Sequence, residues 1–161
     1  MRVNDSIEIL NWSRLSDAIT TSGQPTEAQL AAIHDLGVVE VVNLGLHTHE
    51  KALADEAATV VGLGMTYTHI PVDFSNPVEA DYQRFCDVMA AVGERTVHVH
   101  CIVNARVTAF FYRYQTEVLG IGEAKARAMM EKVWRPGRVW AAFIGDDGAA
   151  NREHQYARRD Y

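Results

Sequence analysis

The sequence predicts an α/β domain built on a mainly parallel sheet with helices on both faces, a cysteine-centred loop standing at the end of its third strand. Three observations predict it. Short β-branched runs alternate with segments of helical spacing, glycines or prolines punctuate the segment ends, and an apolar share of 48% in 161 residues suits one buried core. One domain over residues 1–161 is expected, with 1–20 as a lead-in and 144–161 as a tail.

Thr26-Glu27-Ala28-Gln29 is a capping box behind Pro25, so a helix starts there, carries Leu30, Ile33 and Leu36, and stops at Gly37. Val38 to Leu44 is β-branched with one charge and reads as a strand. Residues 49–61 return to helical spacing through Leu53, Ala57, Val60 and Val61. Met65 to Ile70 alternates apolar with polar residues and is closed by Pro71, which makes a second strand. The stretch 78–92 places Val78, Phe85, Val88, Met89 and Val92 on one helical face. Thr96 to His100 is a third strand, and it runs into Cys101 and a helix over about residues 104–119. Another helix is predicted over 123–133, and the chain from Trp140 onward reads as a weakly patterned, partly exposed end.

The formal net charge is -6 and no run of Lys or Arg forms a basic stripe, which excludes nucleic acid as an expected partner. Nothing approaches the roughly 18 consecutive apolar residues of a membrane span. Residues 1–16 mix charges with isolated apolar residues rather than forming a secretory core. A soluble, cytoplasmic protein with no membrane partner is the expectation. Cys86 and Cys101 are the only cysteines, and one bridge would add little to a domain this apolar, so both are expected as free thiols. Cys86 falls within a helix and is expected to pack in the core.

Cys101 ends a strand where a short loop turns into a helix, the place at which parallel sheets bind ligands and helix N-termini accept anions. Its neighbours His98 and His100, together with Arg106 on the same loop, all favour the thiolate. The loop Ile102-Val103-Asn104-Ala105-Arg106 offers backbone amides to an oxyanion, and Arg106 can add two parallel hydrogen bonds to a phosphate or sulfate. Asn104 either points its amide into this cradle, orders the loop by bonding its backbone, or caps the helix.

At this loop the sequence resembles the protein tyrosine and dual-specificity phosphatases, whose phosphate-binding loop reads His-Cys, five residues, Arg, then Ser or Thr. From Thr21 to about Phe143 it looks like the bacterial beta-lactamase-hydrolase-like, phosphatase-like domain family. The matching pieces are Ser22-Gly23-Gln24-Pro25-Thr26, Val42-Asn43-Leu44, Tyr67-Thr68-His69-Ile70-Pro71-Val72, and His100-Cys101 with Asn104 and Arg106. Two departures stand out. Only four residues separate Cys101 from Arg106, a gap like that of rhodanese-type sulfurtransferases, and Gly45-Leu46 stands where members of the family often carry an Arg.

The resemblance implies a thiolate nucleophile at Cys101, an oxyanion clamp at Arg106 and a general acid on an earlier loop. Asp73 lies 28 residues before Cys101, at the matching place, and it can equally be a turn former in Asp73-Phe74-Ser75-Asn76-Pro77. By the same resemblance Thr108 would bond the Cys101 sulfur, or else the backbone; His100 is expected to fix the loop by hydrogen bonding rather than to act as a base. His47 and His49 lack a third nearby ligand, so no metal and no cofactor are expected.

The leading expectation is a cysteine-dependent phosphatase-like hydrolase acting on a small phosphate or a phosphoprotein. The alternatives are a sulfurtransferase carrying a persulfide on Cys101, fed by a sulfane-sulfur substrate, and a module that binds phosphate or sulfate without turnover. Oligomeric state is not legible in the sequence.

Overall fold

The computed structural model describes residue 5, residues 8–156 and residue 161; the remainder of the expected lead-in and tail, residues 1–4, 6, 7 and 157–160, lies outside them. Its strands are β1 (Ser13–Arg14), β2 (Ile19–Ser22), β3 (Glu40–Asn43), β4 (Thr66–His69) and β5 (Val97–His100). They form one sheet in the order β1-β2-β5-β3-β4, with β1 antiparallel to β2 and every other pairing parallel. The helices are α1 (Glu27–Asp35), α2 (Glu56–Gly62), α3 (Glu79–Val92), α4 (Ala105–Glu117), α5 (Glu123–Glu131) and α6 (Arg138–Phe143). This is the α/β architecture that the sequence predicts.

The capping box is present at the start of α1, where Thr26 Oγ1 accepts from the Gln29 amide at 3.1 Å and Gln29 Oε1 accepts from the Thr26 amide at 3.0 Å. Side chains along each strand alternate between the sheet's two faces. Val41 accordingly joins a small core with Leu30, Ile33 and Val60 from α1 and α2, while Val42 joins the larger core under α3 to α6. On β5 the same alternation sends Val97 and Val99 into the large core and His98 and His100 to the opposite face.

Three expectations need correction. β1 and the first half of β2 lie within what reads as lead-in, because Thr20-Thr21-Ser22 carries polar side chains that are nonetheless buried by sheet pairing. The second helix begins at Glu56 rather than at residue 49, and Asp55 Oδ1 caps it by accepting from the Ala58 amide at 3.1 Å. The end of the chain is also better anchored than its pattern implies. Trp140 is fully buried in α6, and its Nε1 donates to the Phe74 carbonyl at 2.7 Å. Among the described residues no helix is long and apolar enough to cross a membrane.

Candidate active site

β5 lies in the middle of the sheet, so the loop leaving its carboxyl end has protein behind it on all sides. Cys101 to Asn104 make that loop, and Ala105 opens α4. Four successive carbonyls of the loop are turned outward onto protein donors. Cys101 O accepts from His100 Nδ1 at 3.0 Å, Ile102 O from the Gln24 amide at 3.0 Å, and Val103 O from Asn11 Nδ2 at 2.8 Å. Asn104 O accepts from Thr108, through its hydroxyl at 2.9 Å and its amide at 3.2 Å.

In a planar trans peptide the C=O and the following N–H point in opposite directions. Holding these four carbonyls outward therefore turns the amides of Ile102, Val103, Asn104 and Ala105 to the inside, where none meets a backbone carbonyl among the described residues. The N-terminal end of α4 adds its own positive dipole to the same concavity. The result is a nest of backbone amides beside the Cys101 thiol.

The Ser22-Gly23-Gln24-Pro25 segment is the back wall of this nest. A Cβ on Gly23 would stand 2.6 Å from Ile102 O, so only glycine lets the two chains close. Gln24 bonds Ile102 O through its amide and reaches Glu56 Oε1 through Nε2 at 2.8 Å. Asn104 adopts a left-handed conformation (φ 69°), which Asn tolerates better than most residues. Its side chain points away from the nest, donating to Asn11 O at 2.8 Å and to Thr21 Oγ1 at 3.0 Å. The cap alternative is thus also excluded, since that side chain makes no bond to an α4 amide.

Two buried histidines stand behind the loop on β5. Ser22 Oγ gives its proton to Gly23 O, so it must accept from His98 Nε2, and Thr20 Oγ1 in turn donates to His98 Nδ1; both contacts are 2.8 Å. His98 is held as a neutral imidazole, and burial followed by the charge of His100 pushes its pKa well below the ordinary value. His100 bonds Glu56 Oε2 through Nε2 at 2.6 Å, with both side chains buried. Burial pushes the Glu56 carboxyl upward, but the charge and hydrogen bond of His100, the bond from Gln24 and the charge of His47 outweigh it and hold the carboxyl below its usual range.

Arg106 follows on the first turn of α4, fully buried, with its guanidinium carbon 5.0 Å from the centroid of the Phe74 ring. Phe74 belongs to the loop after β4, and the Trp140 bond to its carbonyl ties that loop to α6. Asp73 precedes it, exposed, and Asp73 Oδ1 accepts from the Ser75 amide at 2.8 Å in a side-chain turn. The turn-forming role is therefore present at the place where the acid is expected. An aromatic wall of Trp134, His154 and Tyr161 packs around Phe74 with ring centroids 5.7 to 6.0 Å away.

Thr108 does not serve the sulfur. Its hydroxyl donates to Asn104 O and Ala105 O and accepts from Trp134 Nε1 at 3.0 Å, because a hydroxyl one turn into a helix finds the preceding carbonyls first. Gly45 stands against the loop instead of an arginine; its Cβ would lie 3.5 Å from the Cys101 carbonyl carbon. His47 is not simply solvated, since it stacks on His69 at 3.7 Å and bonds the Tyr67 hydroxyl at 2.7 Å. Cys86 lies on α3 against the large core, and burial raises its thiol pKa. Both cysteines are free thiols. Asn11, Gln24 and Glu56 are parts of the site that the sequence reading does not single out, and only the Ser-Gly-Gln-Pro motif pointed toward one of them.

No protein-family model matches the chain, and no curated protein matches it. Solved structures do. The core catalytic domain of the PP-IP phosphatase SIW14 from S. cerevisiae shares the fold at a TM-score of 0.69, with 13% identity over 88% of this chain and 90% of that one. P. aeruginosa TpbA, solved in complex with phosphotyrosine, shares it at 0.62, with 22% identity over 76% of this chain and 72% of that one. The five-stranded sheet and its helices thus match cysteine phosphatases of the protein tyrosine phosphatase type in fold. A DUF442 protein from Shewanella putrefaciens CN-32, described as a candidate phosphatase, aligns at a TM-score of 0.76 over 86% of this chain. With 30% identity to that protein across 91% of its length, the chain belongs to the DUF442 family.

Proposed function

We propose that the chain is a cysteine-dependent hydrolase of phosphate esters, working through Cys101, Arg106 and Asp73. The observation that carries this reading is that four successive loop carbonyls are held by protein donors, which turns the amides of the same peptides the other way on a loop that carries a thiol and leads into a buried arginine. Such preorganised donors are worth most where charge develops in a transition state.

In this reading Cys101 Sγ attacks phosphorus, an S–P bond forms, and the P–O bond to the leaving group breaks. Arg106 and the amides of Ile102, Val103, Asn104 and Ala105 hold the three non-bridging oxygens. Asp73 gives its proton to the departing oxygen. Water then attacks the phosphocysteine, Asp73 takes the water's proton, and the thiolate leaves. The fold it shares with a TpbA solved around phosphotyrosine makes an aryl phosphate the substrate to try first. Within the cysteine phosphatases, its Ser22-Gly23-Gln24-Pro25 and His100-Cys101 segments favour kinship with the beta-lactamase-hydrolase-like group. The reaction would run in the cytoplasm, on a small phosphate or a phosphoprotein.

One observation favours a second reading. The gap of four residues between Cys101 and Arg106 makes a nest smaller than that of the phosphatase signature, better matched to a persulfide or a small oxyanion. Hydrolysis of an aryl phosphate and sulfur transfer from thiosulfate to cyanide, measured side by side on the wild type and on Cys101→Ser, test the two. Aryl phosphate turnover that disappears in Cys101→Ser is expected, because a serine hydroxyl stays protonated at neutral pH. Thiosulfate turnover alone would put the sulfurtransferase in its place. Phosphate binding without either turnover would leave a binding module.

A further inference from the structure

His98 and His100 stand two residues apart on one strand and face the same side of the sheet, yet their hydrogen-bond partners demand different protonation. His98 has one donor and one acceptor, which suits a neutral ring. His100 faces two acceptors. A backbone carbonyl can only accept, so Nδ1 of His100 carries a proton for Cys101 O; the 2.6 Å contact at Nε2 requires another, shared with the Glu56 carboxyl.

We propose that Glu56 is a positioning residue for the nest: it keeps both ring nitrogens of His100 protonated, so that Nδ1–H holds the Cys101 carbonyl outward and the Ile102 amide inward. This rests on the reading of the loop as an oxyanion nest. The mechanism above assigns Glu56 no task, and a buried carboxylate–imidazolium pair is by itself weak evidence for stability. Here the pair is tied in on both sides. Gln24, whose backbone holds the next carbonyl of the loop, also donates its side chain to the second oxygen of Glu56.

The consequence is geometric. If His100 carries only one proton, the tautomer with that proton on Nε2 becomes available, and its bare Nδ1 no longer holds Cys101 O. The peptide between Cys101 and Ile102 could then turn and present a carbonyl where an amide must meet the anion. The titratable groups that face the pair are few: neutral His98 at 6.3 Å between ring centroids, then Tyr67, His47 and His69 around Glu56, of which His69 also feels the charge of His100. Tyr67 is itself kept protonated, burial and then the Glu56 charge pushing its pKa up. The charge on Glu56 is thus the nearest acidic influence on His100 among the described residues.

Two measurements test the idea without any turnover. Nitrogen-15 NMR of histidine-labelled protein at neutral pH should find both ring nitrogens of His100 protonated in the wild type and only one in Glu56→Gln, a near-isosteric change. Titration with inorganic phosphate should show binding weakened about tenfold in Glu56→Gln, less than the hundredfold to thousandfold that losing one oxyanion donor costs a reaction. His100→Asn should weaken it at least as much, and Glu56→Gln combined with His100→Asn should lose no more than His100→Asn alone, as expected of a residue acting through its partner. A singly protonated His100 in the wild type would overturn the proposal. So would full phosphate affinity in Glu56→Gln, or losses that simply add in the double variant. Absent phosphatase turnover alongside the expected NMR and binding results would count against the hydrolase reading alone.

Discussion

The amide of Gln24 lies 3.0 Å from the carbonyl oxygen of Ile102, and this contact ties the end of β2 to the middle of the candidate loop. Gly23 is the residue that lets it form. A methyl group there would meet Ile102 O at 2.6 Å and the Leu10 side chain at 3.1 Å. Gly23→Ala should therefore cost about 1–3 kcal/mol, the usual range for overpacking a filled site, and should push Ile102 and its neighbours out of register. Urea melts and phosphate binding on the same samples check this; a variant as stable and as tight-binding as the wild type would contradict the role of the back wall.

Asn104 does two things that different substitutions separate. Its left-handed backbone excludes most side chains, and its Nδ2 ties the loop to Asn11 and Thr21. Asn104→Ala should lose both, at about 1–2 kcal/mol for the backbone conformation plus about 1 kcal/mol for the hydrogen bonds. Asn104→Gly should keep the conformation and lose only the tie. The glycine variant is expected to melt above the alanine variant and to bind phosphate more tightly; the reverse order would mean that the backbone conformation is not what Asn104 supplies.

The loop 100–106 was legible in the sequence because its cysteine, its amides and its arginine are contiguous, and the strand before it and helix after it are strongly patterned. The parts that hold it were not. Glu56 reaches His100 across 44 positions of sequence, and Asn104 reaches Asn11 across 93, distances that only the parallel sheet closes. β2 escaped notice for a related reason. Thr20, Thr21 and Ser22 carry no apolar alternation to mark a strand, yet their hydroxyls are buried against His98 and Asn104, partners from elsewhere in the chain. The overlong second helix came from apolar spacing alone, and the Asp55 cap marks where the helix begins.

Buried neutral His98 gives stability a pH dependence of known sign. The unfolded chain takes up this proton near pH 6.5, whereas the folded protein does so only well below that, so from about pH 6.5 downward the unfolded state holds more protons and stability falls. His69 and His154, both lowered chiefly by burial, act in the same direction. Glu56, held low in the folded state, adds its own loss only once the pH drops below about 4.3, where unfolded glutamate protonates. Urea midpoints should thus decline from about pH 6.5 to about pH 5.5. His98→Gln can still bond Thr20 and Ser22 but cannot titrate, so its decline should be shallower, and an equally steep one would remove His98 as the cause.

Asp73 separates the two enzymatic readings, because they ask opposite things of it. A phenoxide or alkoxide leaving from phosphorus needs a proton, and a positioned general acid is worth about two to four orders of magnitude in rate. Asp73→Asn should therefore cut aryl phosphate hydrolysis by about that much, and by less for esters whose leaving groups are already stable anions. Sulfur transfer from thiosulfate expels sulfite, which leaves readily without protonation, so the same variant should keep that activity nearly intact. Asp73 also accepts from the Ser75 amide, and asparagine can make the same bond through its side-chain oxygen, so the turn beside Phe74 should survive the change. Unchanged phosphate affinity would verify that it does. If hydrolysis by Asp73→Asn instead fell as far for activated esters as for poor ones, with phosphate affinity lost in step, Asp73 would be shaping the loop that carries Phe74 onto Arg106 rather than donating a proton.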